Sequence, residues 1–147
     1  MAIDFIPDVG QVLMCDFASD GFIRPEMQKI RHCVVVSPRY RRHTGCCLLV
    51  PFSTVAPQKA EPYHYMIPRG SYGCFDAGVD SWAKCDMLTH AAFARLERPR
   101  LQGRYSSIIM RPDHVSAIKR AVMCAMGLIE LQWVSGGHMV KFALDMR

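Results

Sequence analysis

The chain has 147 residues, 50% hydrophobic and 21% charged, which is the balance of one globular domain and excludes an intrinsically disordered chain. Its apolar runs are too short to span a bilayer, and Met1 to Asp8 lacks the apolar core of a secretory signal, so a cytoplasmic protein with no membrane partner is expected. The net charge of +5 permits a polyanionic partner without requiring one. The 7 cysteines are odd in number and scattered, with no C-x-x-C pair, so a zinc ribbon or a redox motif has no support. They read as reduced thiols, most of them in apolar runs.

In chain order, Gly10 to Phe17 (GQVLMCDF) reads as a strand, followed by a long loop from Ala18 to Lys29. Cys33 to Val36 is a β-branched run stopped by Ser37-Pro38, and reads as a buried strand. After the basic turn Arg39 to Thr44, Gly45 to Phe52 reads as its hairpin partner. A loop from Ser53 to Pro62 precedes a short strand at Tyr63 to Ile67. Another loop, Pro68 to Gly78, leads into an alternating segment, Val79 to Leu88, expected as one strand. Thr89 to Leu101 is ambiguous, and Tyr105 to Met110 reads as a short strand.

The clearest element is a helix over Pro112 to Met126. Pro112 suits the first turn, Asp113 suits its positive end, and Gly127 stands where a C-terminal cap belongs. Val115, Ile118, Val122, Ala125 and Met126 fall on one face. In the tail, Ser135-Gly136-Gly137 separates two apolar stretches, which fits a terminal hairpin or a swapped arm. Five to seven short strands and one helix imply a mainly β fold, a small antiparallel barrel with a flanking helix.

Four segments, in order, resemble the PemK/MazF toxin family. They are Gly10 to Phe17, Lys29 to Pro38 (KIRHCVVVSP), Thr44 to Thr54 (TGCCLLVPFST) and Lys84 to Leu88 (KCDML), followed by the closing helix and Gly127-Leu128. The resemblance covers roughly residues 10 to 128 and makes 1–128 the toxin-like domain, with 129–147 a C-terminal extension outside the pattern. Gln11 stands where an acid is common, His32 where a proline usually follows the arginine, and Met87 where a glutamine usually follows Asp86. The resemblance implies an SH3-like, CcdB-like barrel and RNA cleavage without a metal or cofactor. It also implies a homodimer with single-stranded RNA as substrate and a small acidic antitoxin as partner.

The same resemblance assigns the chemistry. Arg31 matches the catalytic arginine; its planar donors suit a phosphate, and its high pKa suits charge stabilisation rather than proton abstraction. Ser53 matches the catalytic threonine, with Thr54 beside it, and a hydroxyl can donate to a phosphate oxygen. Lys84 and Asp86 match an RNA-lining base and acid; two apart on a strand, they would face one side. Lys29, Arg39, Arg41 and Arg42 could track an RNA backbone, and Tyr40 and Trp82 could stack on bases or pack internally. His32 and His43 could transfer protons, although an extended segment turns His32 to the face opposite Arg31.

Two other readings stay open at this point. One is a non-catalytic nucleic-acid- or protein-binding module on the same barrel, favoured by His32, Met87 and the tail. The other is a small metalloenzyme, for which Cys85 and His90 are the nearest candidates. No helical H-x-x-x-H pair supports it.

Overall fold

The structure is a computed structural model that describes residues 2–19, 21–39, 45–134 and 138–143, with side chains through residue 129. The elements run β1 (Gln11–Asp16), β2 (Ile30–Val35), β3 (Cys46–Ser53), β4 (His64–Ile67), β5 (Ser81–Lys84), β6 (Thr89–Ala92), β7 (Leu96–Glu97), β8 (Arg100–Leu101), β9 (Arg104–Tyr105) and β10 (Ile108–Ile109). The helix α1 (Pro112–Ala125) follows, and then β11 (Ile129–Val134) and β12 (His138–Ala143).

The unbroken apolar runs of β1, β2 and β3 have a direct cause. Successive side chains on a strand point to opposite faces, and here both faces are covered. One face carries Val12, Val34, Val50 and Phe52, packed with Ile67 and with Ile118 and Val122 of α1. The other carries Leu13, Cys15, Cys33, Val35, Cys47 and Leu49, packed with Phe17 and Leu96. Cys15, Cys33 and Cys47 of these strands are therefore small core residues, and they and Cys85 are buried. Burial raises the Cys74 thiol to about 11 and the Cys85 thiol to about 12.

Eight strands form one antiparallel sheet in the order β10-β1-β2-β3-β5-β4, with β6 also on β3 and β7 also on β1. The mainly β class with one flanking helix agrees with the sequence. Among the described residues, however, the end strands β10 and β4 do not pair, so the expected barrel is a bent, open sheet. Its curvature comes from strands that change partners along their length. β3 meets β6 over Cys46–Leu49 and β5 at Phe52–Ser53. β1 meets β10 at Gln11–Val12 and β7 at Met14–Cys15.

Several boundaries differ from expectation. The strand expected through Leu88 ends at Lys84, and Cys85–Met87 is a 3₁₀ turn that buries Cys85. The helix starts at Pro112 and stops at Ala125, with Gly127 at φ 75° beyond it. Its buried face is His114, Val115, Ile118, Ala121 and Val122. Met126 lies past the last turn, where helical spacing no longer applies, and is 57% exposed. In the tail, β11 and β12 pair antiparallel, which matches the hairpin alternative; its turn, 135–137, lies outside the described residues. No helix among the described residues is long and apolar enough to cross a membrane.

Candidate functional site

The site is built by strand register. β2 and β3 pair Cys33 with Pro51 and Val34 with Val50. That ladder stops at Cys33 and Pro51, with Arg31 and His32 just before it on β2 and Phe52 and Ser53 just after it on β3, where β3 goes on to pair with β5. On the other side of β2, β1 sets Cys15 across from Arg31 and Met14 across from His32. A cavity of about 210 Å³ opens where β2 begins and β3 ends. Arg31, His32, Ser53 and Thr54 all border it, with Met14, Ile30, Phe52 and Ser81.

The fourth wall comes from the loop between β4 and β5, which contributes Phe75 and Asp76. The Phe75 ring lies 4.9 Å from that of Phe52 and stands edge-on to His32 at 5.3 Å. Two links hold this loop against α1. The Tyr72 hydroxyl hydrogen-bonds His114 Nδ1 at 2.7 Å and accepts the Arg111 N–H at 2.9 Å. Asp76 Oδ1 accepts the Gly78 N–H at 2.7 Å, which tightens the turn behind it.

The polar groups of the cavity are unevenly satisfied. Ser53 is 8% exposed, and its Oγ accepts the Val55 N–H at 3.2 Å, a local turn that leaves the hydroxyl proton free to be donated. Arg31 Nε is buried and has no hydrogen-bond partner among the described residues. A donor so placed is normally paired, and leaving it unpaired costs about 1–3 kcal/mol. Burial lowers the pKa of His32 below its ordinary value and keeps the imidazole neutral at pH 7.

Other expected residues fall elsewhere. Asp86 sits in the 3₁₀ turn rather than on a strand and is exposed, so it does not share a strand face with Lys84. It borders a separate cavity of about 360 Å³ with Phe22, Met27 and Thr89. Lys84 pairs with His64 in the ladder, and neither Lys84 nor Lys29 lines the Arg31 cavity. Arg39 bonds Asp8 at 3.3 Å instead of standing free for a phosphate. Trp82 is half-buried and directly across from Ser53. Tyr40, Arg41, Arg42 and His43 lie outside the described residues. Among the described residues, no three His, Cys, Asp or Glu gather as a metal site, and Cys85 is buried while His90 is exposed.

The bent antiparallel sheet, single helix and rim cavity define a small mainly β protein with solved counterparts. MazF from Deinococcus radiodurans matches with a TM-score of 0.63 at 19% identity, over 84% of this chain and 99% of that one. An endoribonuclease in complex with its cognate antitoxin, from a Mycobacterial species, matches with a TM-score of 0.57 at 21% identity, over 87% and 99%. The uncharacterized protein YifN of Escherichia coli (strain K12) is 31% identical over 150 residues, covering 89% of this chain and 99% of YifN. The family model for the PemK-like, MazF-like toxin of type II toxin-antitoxin systems matches residues 8–124. The chain belongs to that toxin family.

Proposed function

We propose that this toxin is an endoribonuclease that cleaves single-stranded RNA, with Arg31 and Ser53 as its catalytic residues. The ribose 2′-oxygen attacks the adjacent phosphorus, the bond to the 5′-oxygen breaks, and a cyclic phosphate and a 5′-hydroxyl result. Charge accumulates on the non-bridging oxygens as the phosphorus becomes five-coordinate. Arg31 offsets that charge with guanidinium donors, and Ser53, which borders the same cavity, donates its hydroxyl proton. Fixed donors in a partly desolvated rim act more strongly than the same groups in water.

The observation that carries this reading is that Arg31 and Ser53 border one cavity, with the Arg31 Nε buried and without a hydrogen-bond partner among the described residues. A phosphate oxygen is the acceptor it lacks. Thr54, on the same wall, is placed to touch the same nucleotide. Lys29, Lys84 and Asp86 would meet RNA only beyond the cavity. We further propose that the protein works as a homodimer and that an acidic antitoxin neutralises it by covering this surface in place of the polyanion.

The test is incubation with a long single-stranded RNA in EDTA, with mapping of the new ends. Discrete cuts bearing 5′-hydroxyl ends, reduced at least 10²-fold in Arg31→Ala, are expected. A folded, antitoxin-free protein that cuts none of several RNAs refutes the proposal and leaves the binding-module reading.

A further inference from the structure

We propose that His32 is the proton acceptor of this reaction, taking the proton of the attacking 2′-hydroxyl through a ring nitrogen. The assignment rests on the endoribonuclease reading above and adds the group that reading lacks. A guanidinium holds its proton and serves as a donor, and a serine hydroxyl is too weak a base.

Strand alternation turns His32 and Arg31 to opposite faces, which by itself argues against a shared task. The position of the cavity removes that objection. It lies where β2 begins and β3 ends, and residues of both strand parities, Arg31 and Ser53 as well as His32 and Phe52, border one space. The His32 imidazole is half-buried, packs edge-on against Phe75, and makes no hydrogen bond to the described residues. Its ring nitrogens are therefore not committed elsewhere, while its plane is fixed by an aromatic neighbour.

The groups that face His32 are few. β1 presents Met14, β3 presents Phe52, and the loop before β5 presents Phe75 and Asp76; Arg31 adjoins it on β2. Among the described residues, Asp76 is the one carboxylate on the cavity wall and so the rival proton acceptor. It is exposed, and one of its oxygens already accepts the Gly78 N–H. Burial favours neutral imidazole, the form a base must have.

The step balances within the chain and solvent. The 2′-oxygen bonds to phosphorus as its proton passes to His32. The phosphorus–5′-oxygen bond breaks, and the departing oxygen takes a proton from water. His32 then returns its proton to solvent.

The experiment is the pH–rate profile of single-turnover RNA cleavage for the wild type, His32→Gln, His32→Phe and Asp76→Asn. In the wild type the rate should climb from acid pH and level off near or below pH 6.5, the ordinary histidine range. Both His32 variants should lower the plateau roughly 10²–10⁴-fold and lose that limb. His32→Phe keeps an aromatic ring against Phe75, so an unchanged thermal melt separates lost chemistry from lost packing. In a third variant, His32→Ala, added imidazole should restore part of the rate, which a structural role would not predict. A cleaving wild type whose His32→Gln variant keeps its rate and limb overturns the assignment alone. So does an acid limb that persists in both His32 variants and vanishes in Asp76→Asn. A wild type that cleaves no RNA overturns the endoribonuclease reading and this assignment with it.

Discussion

Arg31→Met should make the protein more stable and inactive. In the free protein the Arg31 Nε is buried without a partner among the described residues, beside a cavity of about 210 Å³. An unpaired buried donor costs about 1–3 kcal/mol. Methionine keeps an unbranched apolar stem of similar course and removes the donor, at a small loss of contacts from the missing guanidinium. The net expectation is a gain of about 1 kcal/mol in unfolding free energy. For a domain of this length that is an increase of about 3 °C in Tm. Urea unfolding followed by fluorescence and by circular dichroism measures it, with an unchanged m-value as the control for a common denatured state. The same variant should lose RNA cleavage. An oligonucleotide whose 2′-hydroxyls are replaced should raise the Tm of the wild type and not of Arg31→Met. A variant less stable than the wild type by 1 kcal/mol or more would show that the guanidinium is satisfied in the free protein, and the argument from the orphaned Nε would fall.

Two further expectations concern the scaffold. Gly10 holds φ +86°, and an added Cβ would meet Val115 Cγ2 at 3.2 Å, so Gly10→Ala should cost at least about 1–2 kcal/mol from backbone strain alone, read by urea unfolding. An unchanged midpoint would mean the turn before β1 relaxes freely. Cys33 and Cys85 are buried and their thiols are shifted upward chiefly by burial, Cys85 to about 12. Iodoacetamide at pH 8 should leave both unmodified in the native protein and alkylate both in urea, as read by peptide mass spectrometry. Native alkylation of either at the rate of a free thiol would contradict the two-core packing.

Much of this protein was legible from its residues. Helix α1 was bounded within a residue at its end because Pro112 and Gly127 act locally, through a missing N–H and a positive φ. The runs of β1, β2 and β3 announced strands because β-branched and small apolar side chains suit a backbone buried on both faces. Arg31 and Ser53 were brought forward by family resemblance, and the antiparallel pairing of β2 with β3 brings the start of one strand to the end of the other. Tertiary structure decided the rest. Asp86 lies outside the Arg31 cavity, on a 3₁₀ turn that interrupts the segment after Lys84, and no period in the residues marks that turn. Phe75 and Asp76 joined it because Tyr72 fastens their loop to His114 and Arg111, more than thirty residues away in sequence. His32 and Arg31 came to border one cavity although they sit on opposite faces of a strand. Periodicity reports which face a side chain takes, whereas a cavity depends on where strands end and which distant loop closes over them.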